Sequence, residues 1–258
     1  MKMDAVILAG GKLKPDDPLY PISPNGARCL IELQGKPMVQ WVIDALNASE
    51  MVENLYLIGL PDDTRVESSK PLNFLPDQND LFKNIHSSVL HVTRKNPSHS
   101  KVIIASGDLP AVTAEMIDWL VKQVADQPDY MLYYNVITRE TMEEQFPRAN
   151  RSFVHLKDVS VCGGDLNVVD RAIFDVEKPI WHKLAEARKS PLKLASLLGF
   201  DSLIMVALRL VTLDQAVQKI CKRLSVTGKA LICPFAEMAM DADKPHQIAL
   251  LRDYLKGK

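Results

Sequence analysis

Apolar positions along the chain fall into short continuous runs and helical stripes rather than long alternating stretches. The first run, Ala5-Val6-Ile7-Leu8-Ala9, stops at Gly10-Gly11 and gives way to a polar loop. Five consecutive apolar residues predict a strand covered on both faces, the habit of parallel sheets. After Gly35-Lys36-Pro37, apolar residues at Met38, Trp41, Val42, Ala45 and Leu46 recur at helical spacing and predict a first helix. Leu55-Tyr56-Leu57-Ile58-Gly59 reads as a second strand, and Asp80 to Val92 as a helix turning Ile85, Val89 and Val92 inward. Val102-Ile103-Ile104-Ala105 predicts a third buried strand, ending at Ser106-Gly107-Asp108-Leu109-Pro110. Thr113 is then expected to cap a helix carrying Ile117, Leu120, Val121 and Val124. Strands alternating with helices predict an α/β fold, a parallel sheet with right-handed crossovers.

The second half is less regular. A strand-like aromatic run, Tyr130 to Val136, precedes a charged segment from Arg139 to Lys157, and strands are expected again from Val159 to Val169 across Gly163-Gly164. From about 179 to 228 the pattern turns helical, with Pro191 suited to a first turn, Gly199 to a cap, and a stripe of Leu213, Ala216, Val217, Ile220 and Leu224. A last strand, Ala230 to Cys233, leads through Asp241-Ala242-Asp243-Lys244-Pro245 into a closing helix. No repeat or linker divides the chain, so residues 1–258 are expected to form a single domain with a helical insertion at about 179–228.

Composition narrows the function. The balance of 31 basic and 32 acidic residues offers no general field for nucleic acid or an anionic membrane, so any anion must be met locally. Apolar runs are far shorter than the roughly 18 residues of a membrane span, and no signal-like segment follows the start. A cytoplasmic location is the expectation. Cys29, Cys162, Cys221 and Cys233 are scattered without a CxxC pair, and the histidines lack metal-ligand spacing, so no transition-metal centre is expected.

The candidate chemistry gathers where the predicted strands end. A strand running into Gly10-Gly11 presents successive backbone N–H groups, a nest for a phosphate, although an ordinary turn has the same grammar. It is neither a dinucleotide fingerprint, which needs a third glycine opening a helix, nor a P-loop. Asp108 would project from a strand's carboxyl end, where open sheets bind ligands, and could supply a carboxylate to Mg²⁺ or merely close its turn. Asp241 and Asp243 share a face if extended and could add a second ligand, or Asp243 could cap the closing helix. Arg28 and Lys36 are the nearest cations for a triphosphate, with Lys12 and Lys14 on the loop itself.

Taken together, Leu8-Ala9-Gly10-Gly11, Arg28 with Cys29-Leu30-Ile31, and Gly35-Lys36-Pro37-Met38 resemble the opening of nucleotidyltransferases of GT-A-like fold, nearest the molybdenum cofactor guanylyltransferase-like (MobA-like) subgroup. Ser106-Gly107-Asp108-Leu109-Pro110 is similar to the family's acidic metal turn, and Asp241-Ala242-Asp243-Lys244-Pro245 to its late Asp-x-Asp-x-Pro segment. The resemblance implies a three-layer, Rossmann-like, mostly parallel sheet with helices on both faces. It also implies that Leu8, Ala9, Gly10, Gly11 and Lys36 meet the nucleotide, with Ser88 as a candidate near the base. Arg28 would take the place of a phosphate-contacting lysine, and Asp108 and Asp243, with Asp241 as an alternative, would hold Mg²⁺. Gly163-Gly164-Asp165 resembles a glycine turn on the acceptor side. Apart from the resemblance, Arg148, Arg151 or Lys157 could hold an acceptor phosphate, or the charged run could simply be a solvated face. The loop after Gly11 departs from the pattern, being longer and carrying Pro15, Pro18, Pro21 and Pro24.

The expected reaction is Mg²⁺-dependent transfer of NMP from an NTP to a small phosphorylated acceptor, with pyrophosphate leaving. Alignment and charge neutralisation suffice for it, and no protein nucleophile is needed. A GT-A-type glycosyltransferase and a non-catalytic nucleotide-binding protein are the alternatives. Sequence leaves the base, the acceptor and the oligomeric state open.

Overall fold

The structure is a computed structural model that describes residues 1–175 and 200–257. Strand β1 (Met3–Leu8) lies between β4 (Val52–Ile58) and β6 (Lys101–Ser106), parallel to both, with Ala5 opposite Leu55 and Ile103. A central strand has no solvated face, and this is why its apolar run is unbroken. Side chains alternate across it: Ala5 and Ile7 join one core, Val6 the other. On the first face pack α1 (Met38–Ala48), α3 (Ala114–Asp126) and the closing helix α7 (Pro245–Tyr254), through Val42, Ile43, Leu46, Ile117, Leu120 and Ile248. On the second face α2 (Leu81–Lys95) contributes Val89 and Val92.

The sheet has nine strands among the described residues, in the order β5-β4-β1-β6-β10-β7-β9-β8, with β11 (Gly228–Ile232) also on β7 (Leu132–Thr138). It is mixed and mostly parallel in its first half. The departure is β10 (Leu166–Asp170), which runs antiparallel between β6 and the first half of β7, while β9 (Ser160–Gly163) pairs with the second half. Edge strand β5 (Leu72–Leu75) and the small hairpin of β2 (Glu32–Leu33) and β3 (Lys36–Pro37) are additions to the expected elements, as is β8 (Val154–His155).

Several local expectations are corrected. Thr113 stands at the N-cap of α3, but its side chain makes no capping bond there. The charged segment after β7 contains α4 (Arg139–Gln145), capped by Thr138, whose hydroxyl accepts from the Thr141 N–H at 3.1 Å. Asp243 does not cap α7; that N-cap is Lys244, with Pro245 at the first helical position. Within the expected helical insertion, α5 (Phe200–Ala207) and α6 (Leu213–Leu224) are helices, whereas Pro191 and Gly199 lie outside the described residues. No helix among the described residues is long and apolar enough to cross a membrane.

Candidate nucleotide site

The carboxyl end of β1 is held from both sides. Ala9 donates its N–H to Ile58 O at 2.8 Å, and Gly107 donates to Leu8 O at 2.9 Å. The next three N–H groups, of Gly10, Gly11 and Lys12, have no protein acceptor among the described residues. Such a row of unclaimed donors at a strand end is what an anion nest requires. Gly11 O in turn accepts from Arg28 N at 3.2 Å, Leu13 N donates to Gly26 O at 2.8 Å, and Lys12 bridges Ala27. The intervening loop is not loose: the prolines that forbid an α-helix open short 3-10 turns at Tyr20–Ile22 and Pro24–Gly26.

Beneath the turn lies Gly59, whose φ is +105°. A Cβ there would sit 2.2 Å from Gly10 N and 2.3 Å from Gly10 Cα, so only glycine allows this approach. Beyond the ends of β1, β4 and β5 opens a cavity of about 900 Å³, lined by Ala9, Lys12, Leu60, Arg65, Phe74 and Asp77 among others. Asp77 is fixed at its rim: Oδ1 accepts from Asn84 Nδ2 and from Asn79 N, each at 2.9 Å.

Four carboxylates and two arginines gather at the ends of β1 and β6. Arg28 Nη1 meets Asp108 Oδ2 at 3.2 Å and also contacts Asp243 Oδ1. Asp108 Oδ1 accepts from Ser106 Oγ. Arg151 contacts Asp241, and its Nη2 lies 3.7 Å from Asp165 Oδ2. Backbone bonds explain the convergence: Ser106 N donates to Asp165 O at 3.0 Å, and Asp165 N to Met238 O at 2.9 Å, joining β6, the glycine turn and the segment leading to Asp241 and Asp243.

Four acids against two guanidiniums leave two negative charges in excess, in a partly buried place. Burial pushes the Asp165 carboxyl up to about 6, against the pull of Arg151 and helped by Asp108 and Asp243. Burial raises Asp241 too, with Asp165 and Asp243 adding to the effect and Arg151 opposing it. For Arg28, burial alone would lower the pKa, and Asp243 and Asp108 more than reverse it. Burial pushes the Cys29 thiol up to about 12, which removes it as a nucleophile.

The donor set fits a hard divalent cation. Asp108 and Asp243 converge on one nitrogen and so face one cation-sized position, and Mg²⁺ needs only one or two carboxylates besides phosphate oxygens and water. Among the described residues, three His or carboxylate groups with ligand atoms within 4.8 Å of one another occur instead at Asp4, Glu53 and His99. That group sits at the opposite, amino end of β1 and β4. There the carboxylate of Asp4 already accepts from Asn54 and Asn96, a complete network.

The sequence profile of the MobA-like NTP transferase domain matches residues 5–143, more than half of the chain. The chain belongs to that family. Its match with a curated relative, a "Probable molybdenum cofactor guanylyltransferase" of Pyrococcus horikoshii, is 24% identical over 127 residues, 48% of this chain, and spans only 57% of that relative's length. A solved structure titled as a hypothetical transferase from Thermus thermophilus is 28% identical, with a TM-score of 0.82, covering 96% of this chain and 100% of that one. At 12% identity, a CMP:2-keto-3-deoxy-manno-octonic acid synthetase complexed with CTP shares the fold over 99% of both chains, at a TM-score of 0.60.

Against this frame the family-derived residues divide. Gly10, Gly11, Arg28, Asp108 and Asp243 come together, with Leu8 and Ala9 supplying the strand end. Asp241 is adjacent but belongs to Arg151, so Asp-x-Asp splits between two arginines. Lys36 is turned to α1, 2.6 Å from Asp44 and 4.2 Å over the Trp41 ring. Ser88 is fully buried on α2. Gly164 N donates to Asn135 O at 2.8 Å, and Gly163 pairs with Val136. Arg151, read as part of a solvated charged face or as a phosphate contact, instead braces Asp241 and Asp165. Gly59 was missed, although a glycine ending a buried strand was its signal, and Asp165 was read only as the end of the Gly163-Gly164-Asp165 turn, not as a member of the carboxylate cluster.

Proposed function

We propose that this chain is a nucleotidyltransferase that moves NMP from an NTP to a small phosphorylated acceptor and releases pyrophosphate. The observation that carries the reading is the row of unclaimed N–H groups at Gly10–Lys12, stapled through Gly11 O to Arg28, whose guanidinium meets Asp108 and Asp243. Those N–H groups would bind phosphate oxygens, and Arg28 would add a fork of charged donors. Asp108 and Asp243 would hold Mg²⁺. When bound, the ion neutralises charge that develops on the phosphates as pyrophosphate departs. The cavity beside Asp77 has the volume for a base and ribose. The turn at Gly163-Gly164 and Asp165 would form the acceptor side. The acceptor oxygen attacks the α-phosphorus in line, and the protein's contribution is alignment and charge. Free thiols at Cys29, Cys162, Cys221 and Cys233 suit a reducing setting, which supports the cytoplasm as its location.

The test is pyrophosphate release from each of the four NTPs with Mg²⁺ and a panel of phosphorylated acceptors, preceded by a thermal-shift screen for the NTP that stabilises the fold. Asp108→Asn is expected to abolish turnover. Sugar transfer from a nucleotide donor without pyrophosphate would replace the reading with glycosyl transfer. Binding of nucleotide with no turnover would reduce it to a binding protein.

A further inference from the structure

Arg28 holds the position that the proposed function needs for a metal ion. Its single nitrogen Nη1 contacts both Asp108 and Asp243, the two carboxylates that would ligate a divalent cation. The Asp243 side chain is 43% exposed against 12% for Asp108, so the pair is open to solvent on one side and an ion has a way in. Arg28 is also incompletely satisfied: its Nε is buried and has no acceptor. A buried donor left empty carries a desolvation penalty that an anion placed beside Nε would remove. The root of the side chain is fixed by the bond from Arg28 N to Gly11 O, which sets it next to the unclaimed N–H groups of Gly10–Lys12. With its root fixed there, the side chain is the part free to make an exchange, and a guanidinium suits two phosphate oxygens as well as it suits two acids.

We propose that Arg28 is an exchangeable cation. It pairs with Asp108 and Asp243 in the nucleotide-free protein, then yields them to a divalent ion as it turns onto the incoming phosphates. The inference rests on the reading of Asp108 and Asp243 as the metal pair. Its consequence is that a metal ion alone must displace a tethered positive charge and binds weakly, whereas nucleotide draws that charge away. Metal and nucleotide therefore favour each other's binding by the same factor.

The experiment titrates the full chain with Mn²⁺ alone, reading free Mn²⁺ by its paramagnetic resonance signal. Arg28→Gln is expected to bind Mn²⁺ tighter than the unaltered chain by about tenfold or more, because the competing charge is gone. Arg28→Lys keeps a cation but loses reach and fork, and a smaller gain of about threefold is expected. Adding Asp108→Asn to either variant should erase the gain. Unchanged or weaker Mn²⁺ binding in the folded Arg28 variants would overturn the exchange, and so would a gain that survives Asp108→Asn, which would put the ion elsewhere. Pyrophosphate release by the unaltered chain is followed in parallel. Turnover without a gain in the variants leaves nucleotidyl transfer standing and removes the exchange; a gain without turnover does the reverse.

Discussion

Gly59→Ala is the sharpest test of how the strand end is built. Two costs add at this position. An L-residue at φ +105° is strained by about 1–3 kcal/mol. The new methyl also falls 2.2 Å from Gly10 N and 2.3 Å from Gly10 Cα. Both are backbone atoms in a segment pinned by the bonds at Ala9 and Gly107, so neither can rotate away as a flexible side chain would. Overpacking of that kind costs about 1–3 kcal/mol more. The sum, about 2–6 kcal/mol, is a large part of ordinary domain stability. Urea unfolding should show the midpoint falling by about 0.7–3 M, given slopes of about 2–3 kcal/mol per M. Whatever folded protein remains should bind nucleotide weakly, since relief of the clash must push Gly10 out of line with Gly11. A midpoint within about 0.3 M of the unaltered protein, with nucleotide binding retained, would refute the close approach.

Three further outcomes follow from local geometry. Asp80 Oδ1 accepts from Phe82 N at 3.0 Å and Lys83 N at 3.1 Å, so Asp80→Ala should cost about 1 kcal/mol in denaturant unfolding. Lys101→Met removes the partner 2.7 Å from Asp170 Oδ2 in a buried pair and should cost about 3 kcal/mol or more, the effect shrinking if Asp170→Asn is added. Asp165 has its folded pKa raised from 3.8 to about 6, so the folded state holds its proton more tightly than the unfolded state. Its contribution is therefore full below pH 3.8 and is lost as the pH rises through about 6. Asp165→Asn should flatten the stability profile across that window, measured by unfolding at a series of pH values; an unchanged slope would count against the burial of Asp165, with Asp108 and Asp243 adding to it, as the source of the raised pKa.

Legibility in the sequence follows from what each residue depends on. β1 and β6 were readable because central strands are apolar on both faces, a property of the strand alone. β5 was not: Leu72-Asn73-Phe74-Leu75 is a four-residue edge strand whose existence depends on pairing with β4. The insertion of β10 between β6 and β7 was likewise invisible, since the run Leu166 to Asp170 carries no mark of its neighbours or direction. The proximity of Gly10, Gly11, Arg28, Asp108 and Asp243 could be anticipated from residue type, order along the strand ends and the family resemblance. Lys36 was expected there from its closeness in sequence to the glycine loop, but the β2–β3 hairpin carries it to Asp44. Arg151 looked solvated within a charged run; only folding sets it between Asp241 and Asp165.

The clasp at the base of the proline-bearing loop separates that loop's length from the geometry of the strand end. Because Arg28 N meets Gly11 O and Leu13 N meets Gly26 O, the chain leaves and returns to the carboxyl end of β1 at fixed points whatever lies between them. Closure entropy changes slowly with loop length, by only about 0.6 kcal/mol for each doubling. The exposed stretch around Lys14, Pro15 and Asp16 is thus a natural place to graft a reporter peptide or a tether without disturbing the turn.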